Sequence, residues 1–155
     1  MDNGFLENWK QVNELTINFL KCIPEDDFEK KPFDNKFKNF AWEFGCILST
    51  REGYIRGWKG GTLDGSMFSG DLLFSKAEFL KKLNSTGDEI LKILEDKGVK
   101  EINYFGSMTS KEVVLSWLLQ HEHLHYGKLV LYLSNLGIPL PESLVRMWGS
   151  SFKKS

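Results

Sequence analysis

Apolar residues recur along most of this chain at steps of three and four, the spacing that lines one face of a helix. Phe5, Trp9, Val12, Thr16, Phe19 and Ile23 mark the first such face, entered through a cap at Asp2 or Asn3 and closed near Cys22 by Pro24. The charged stretch from Pro24 to Pro32 reads as a solvated connection with room for a short turn of helix. Phe37, Phe40, Phe44, Ile47, Arg51, Ile55 and Trp58 step along a second helix, which Gly60 and Gly61 bring to an end. From Gly60 to Ser75 the chain is rich in glycine, with threonine, aspartate and serine, and is expected to be a long irregular loop, of a length that often carries function.

Ser75 stands three residues before Glu78, a capping-box spacing, and Phe79, Leu80, Leu83, Gly87, Ile90, Leu91 and Leu94 give a third helix ending near Lys97-Gly98. Gly87 weakens its middle by ~1 kcal/mol. Val99 to Phe105 could extend briefly before Gly106-Ser107, but one short strand makes no sheet by itself. Thr109 or Ser110 then caps the longest helix, Lys111 to about Asn135, and Pro141 to Trp148 predicts a short final one. Long amphipathic segments without an internal repeat imply an all-α four-helix bundle with a crossover connection.

Composition narrows the function classes. A length of 155 residues suits one domain over 1–155 and is enough to bury a core without a disulfide or a structural metal, so a bound metal would be functional. With 41% hydrophobic and 26% charged residues the chain is not of the disordered class. Twenty Lys and Arg against 21 Asp and Glu leave no positive field for phosphate backbones, so nucleic acid is not an expected partner. The start lacks a signal pattern and no stretch approaches ~18 apolar residues, which points away from a membrane and to the cytoplasm. Cys22 and Cys46 have no C-x-x-C spacing and support neither a disulfide framework nor a zinc ribbon.

The three histidines lie together on the longest helix. On a wheel of about 100° per residue, with the core face set by Val114, Trp117, Leu118, Leu124 and Tyr132, His121 and His125 point inward and His123 points to solvent. Two imidazoles one turn apart on an inward face can reach a common ion, and bundle cores often hold such sites. Imidazoles suit zinc, nickel, iron or copper, and an open catalytic site needs about one more protein ligand. The same pair could instead be core histidines satisfied by Glu43, Tyr54, Tyr104 or backbone groups.

The run His121-Glu122-His123-Leu124-His125-Tyr126-Gly127-Lys128, followed by Leu136-Gly137 and Pro139, resembles the last long helix of the DinB/YfiT-like superfamily. Asn39 to Tyr54 is similar to that family's second helix, and Cys46 stands where its first metal-binding histidine is expected. The resemblance implies a bundle, often homodimeric, that holds a divalent metal through three side chains, here His121, His125 and Cys46. It further implies zinc or nickel ahead of iron or manganese, and a small-molecule substrate or thiol. A thiolate is a good ligand for zinc or iron. On a wheel of the second helix, however, Cys46 lies off the Phe40, Phe44, Ile47 stripe and Glu43 lies between the two, so Glu43 stays a rival third ligand.

Two functions follow. A divalent ion with an open position would make a hydrolase by activating water, or a thiol S-transferase by activating a thiol. Alternatively, the loss of the third histidine leaves a non-catalytic bundle that binds a small molecule or dimerises. Sequence identifies no nucleophile, general base or oxyanion donor, and Glu122, one residue from the metal face, is given no role.

Overall fold

The computed structural model describes residues 3–34, 37–70, 72–98 and 100–152, so Asp2 and Val99, read above as a cap and a strand start, lie outside the described residues. Four long helices, α1 (Asn3–Cys22), α2 (Phe40–Gly60), α3 (Lys76–Glu95) and α4 (Lys111–Asn135), form the bundle, and a short α5 (Glu142–Trp148) follows. Their ends have local causes. The Asn39 side chain accepts from the Trp42 amide at 2.9 Å and starts α2 at Phe40, not Phe37, while Gly61, at φ 74°, closes it in the left-handed region. Ser75 and Glu78 form the expected capping box. Ser110, not Thr109, caps α4. The chain leaves α3 at Glu95, short of Lys97, where the Lys111 ammonium donates to the carbonyls of Ile93 (3.1 Å) and Asp96.

The expectation of no sheet fails. β1 (Thr62–Leu63), β2 (Glu101–Tyr104) and β3 (Ser107–Ser110) form a sheet in the order β1-β2-β3, with β1 parallel and β3 antiparallel to β2. Phe105 (φ 47°) and Gly106 (φ 93°) make a two-residue turn with both central residues left-handed, the geometry that reverses a hairpin tightly. Gly106-Ser107 therefore begins a return strand. Asn103 pairs with Thr62, which comes from within the glycine-rich loop, a contact no local pattern announces. Leu63 and Ile102 are fully buried, so packing on the bundle supplies the stability that an isolated hairpin lacks.

Beyond β1 the loop runs as a strap along α2. The Ser49 hydroxyl donates to the Ser69 carbonyl at 2.6 Å, and Arg56 Nε donates to the Met67 carbonyl at 2.9 Å. Gly45 admits the strap, since a Cβ there would stand 2.3 Å from the Leu72 carbonyl oxygen.

The core face of α4 holds Val114, Leu118 and Tyr132 as expected, with Leu115, Glu122, His125, Leu129 and Leu133 beside them, whereas Leu124, placed on that face above, is 64% exposed. The face thus includes a carboxylate. Glu122 accepts from Arg51 Nε (2.7 Å) and Nη2 (3.1 Å) and from the Thr16 hydroxyl (2.5 Å). Arg51 Nη1 donates to Asn13 Oδ1 (2.7 Å) and the Leu83 carbonyl (3.1 Å). The guanidinium also lies 4.9 Å from the centre of the Trp9 ring. One ion pair with no solvent exposure thereby ties α1, α2, α3 and α4 together.

Gly87 sits where α3 meets that network, its carbonyl accepting from Trp9 Nε1 at 3.0 Å. A Cβ there would lie 2.3 Å from Asn13 Oδ1, the atom that receives Arg51. Gly87→Ala is therefore expected to destabilise by about 1–3 kcal/mol in urea unfolding through overpacking, despite the ~1 kcal/mol that alanine gains in helix propensity. Stabilisation by the substitution would show that α1 and α3 are not held this closely.

Candidate metal centre

α2 and α4 run antiparallel and meet through a ladder of polar side chains. Glu43 reaches Tyr132 and His125, Cys46 and Thr50 reach His121, and Arg51 reaches Glu122. Consecutive residues thus face consecutive residues, Thr50-Arg51 against His121-Glu122. Clamping Glu122 on Arg51 fixes the rotation of α4, and that rotation turns the two inward imidazoles towards α2.

His125 is buried, and its Nδ1 lies 2.6 Å from Glu43 Oε2. Burial alone would raise the Glu43 carboxyl, but hydrogen bonds from His125, Lys128 and Tyr132 together hold it below its ordinary range. Lys128 Nζ stands 2.5 Å and Tyr132 Oη 2.7 Å from its two oxygens. An ionised carboxylate only accepts, so His125 donates from Nδ1, and in the tautomer that carries its one proton there Nε2 offers a lone pair. That lone pair points at His121 Nε2, 3.2 Å away.

His121 is half-buried, and desolvation, followed by the effect of His125, pushes its imidazole down to about 4. It is neutral at physiological pH. Around its Nε2 stand His125 Nε2, Thr50 Oγ1 at 3.3 Å and Cys46 Sγ at 3.6 Å, while its Nδ1 is buried without a hydrogen-bond partner among the described residues. The donor atoms of Cys46, His121 and His125 all lie within 4.8 Å of one another. Two imidazole nitrogens and a sulfur so placed could hold a divalent ion, since imidazole and thiolate are the usual ligands of zinc. The sequence-predicted trio is therefore brought together as a group that could hold a metal.

The rivals sort themselves by geometry. Glu43 is committed to the far nitrogen of His125, where it fixes the tautomer and ring orientation as outer carboxylates do in metal sites. Cys46, half-buried, lies beside the strap residues Phe68, Ser69 and Leu72, whereas His125 belongs to the core face of α4. His123 is exposed and turns its Nδ1 to the Leu119 carbonyl at 2.7 Å. Tyr54 and Tyr104, offered above as satisfying partners, are not among the side chains that reach the two imidazoles, which are Glu43, Cys46 and Thr50. Cys22 donates to the Phe19 carbonyl, and burial pushes its thiol up to about 11, an inert position. Arg51 and Glu122 were missed as a pair, although Arg51 stood on the core stripe of its helix and Glu122 falls one turn from Leu118, both legible as buried charges needing a partner.

No protein-family model and no curated protein sequence matches the chain. Among solved structures, a DinB-like protein from Bacillus cereus ATCC 10987 matches with a TM-score of 0.73 at 15% identity, over 90% of this chain and 95% of that one. The chain therefore has the DinB-like fold, as the resemblance in its histidine helix implied. No helix among the described residues is long and apolar enough to cross a membrane.

Proposed function

We propose that this chain is a metal-dependent enzyme, a hydrolase or a thiol S-transferase acting on a small molecule, with Cys46, His121 and His125 holding a divalent ion. The observation that carries the reading is the facing of two imidazole nitrogens at 3.2 Å beside a thiol, with Glu43 holding the proton of His125 on the far side. A bound divalent ion supplies a Lewis acid that lowers the pKa of water or of a thiol. The chain's own residues do the rest. Glu43 keeps His125 in the ligating tautomer, and Lys128 keeps Glu43 ionised while covering the Trp42 ring at 5.3 Å. The Thr50 hydroxyl is close enough to the donor cluster to orient a ligand by hydrogen bonding. Zinc and nickel suit this donor set ahead of iron and manganese, and a cytoplasmic setting would keep the Cys46 thiol reduced.

Purified without chelator or affinity tag, the protein is expected to carry stoichiometric metal by elemental mass spectrometry. His121→Ala and His125→Ala should lose it, Cys46→Ala should weaken it, and His123→Ala should keep it. A chain that stays metal-free after incubation with zinc, nickel, manganese and iron would end this reading and leave the non-catalytic bundle. Val113, Leu124 and Leu131 leave an apolar stripe exposed on α4, which supports the homodimer as part of the proposal; light scattering should then report twice the 17.9 kDa chain mass.

A further inference from the structure

The donor cluster borders a cavity of about 250 Å³ between α2 and the strap. Trp42, Cys46 and Thr50 line one side, and Phe68, Gly70 and Leu72 the other. Cys46 and Thr50 belong to both features, since each also reaches His121 Nε2. The cavity is part of the scaffold, because the strap is fastened by Ser49 to the Ser69 carbonyl and lies against Gly45 through Leu72.

We propose that this cavity is the substrate subsite of the metal centre and takes an uncharged molecule with a compact aromatic or branched aliphatic body. Its role in turnover rests on the metal-dependent reading above, whereas the preference for uncharged ligands rests on the cavity itself. None of the described lining residues is charged. The nearby cations are committed elsewhere, Lys128 to Glu43 and Arg56 to the Met67 carbonyl. A carboxylate or ammonium placed here would shed its water without gaining a counter-ion among the described residues, a heavy cost in an apolar site. An aromatic body meets Trp42 and Phe68, whose ring faces and edges reward it. The volume corresponds to roughly eight waters at ~30 Å³ each, enough for one substituted ring and little more. The Cys46 and Thr50 side of the cavity leads such a molecule's polar end to the donor cluster.

The test compares benzyl alcohol, benzoate and benzylammonium as probes by saturation-transfer NMR on the full chain, stripped of metal and again loaded with zinc. In the stripped chain benzyl alcohol is expected to bind at least tenfold more tightly than either ion. Gly70→Trp, at a position where a Cβ meets nothing within 4 Å, should abolish that binding while circular dichroism and zinc content stay unchanged. Gly70→Leu serves the same purpose should the tryptophan variant not fold. The proposal is overturned if benzyl alcohol fails to bind, if either ion binds the stripped chain as tightly, or if a folded Gly70 variant binds the alcohol undiminished. Zinc content is read separately, so a chain that takes no metal sinks the proposed enzyme and still leaves the cavity's preference decided by the stripped arm.

Discussion

Replacing Glu122 with leucine is expected to cost about 3–5 kcal/mol of stability, the usual consequence of stranding one partner of a buried ion pair. Domains are stable by only ~5–15 kcal/mol, so the variant should lose a large share of its folded population in urea or heat. The cost arises from Arg51, which would keep a desolvated charge with only Asn13, the Leu83 carbonyl and the Trp9 ring to answer it. Arg51→Met combined with Glu122→Leu should therefore recover most of the loss, because the pair's attraction is largely offset by the desolvation of both groups. A double variant no more stable than Glu122→Leu alone would show that the ion pair is not what holds the four helices.

The same pair sets a pH dependence. Burial by itself would raise the Glu122 carboxyl, but the charge and hydrogen bonds of Arg51, with the Thr16 hydroxyl, hold it below its ordinary value of 4.5. A carboxyl lowered on folding contributes stability that is complete above its unfolded pKa and is lost as pH falls through the folded one. The wild-type chain should accordingly lose stability on acidification below about pH 4.5, and the double variant should show a flatter profile over that range.

Changing Glu43 to glutamine is expected to weaken zinc binding about 10–100-fold, the usual effect of removing an outer carboxylate from a ligating histidine. Glutamine keeps the shape but loses the charge that pins the His125 proton on Nδ1 and anchors Lys128. The affinity is read by competition with a chromophoric chelator. Cobalt substitution adds a second readout, because the spectrum of the bound ion should keep its sulfur and imidazole character. A change of coordination in that spectrum would instead make Glu43 a direct ligand, the rival role left open by the sequence.

Much of the scaffold was legible in one dimension, because its causes are local. The three-four stepping of apolar residues, Pro24, the Ser75–Glu78 box and Gly61 act within a turn or two, and the helices follow them closely. The inward pairing of His121 and His125 was legible for the same reason, since residues four apart share a helix face. What tertiary structure alone decided depends on contacts between distant segments. The sheet needed Thr62 to meet Asn103, and the loop became a strap because Gly45 lets the Leu72 backbone approach. The core face of α4 was legible at Val114, Leu118 and Tyr132 but not at Leu124, counted as buried, or Glu122, counted as indifferent. Only the arrival of Arg51 from α2 makes burying that carboxylate tolerable, and with it the rotation of α4 is set. The placement of Cys46 and Glu43 was of this kind too: both lie on one helix within reach of α4, and the fold alone puts the thiol beside His121 Nε2 and the carboxylate beside His125 Nδ1.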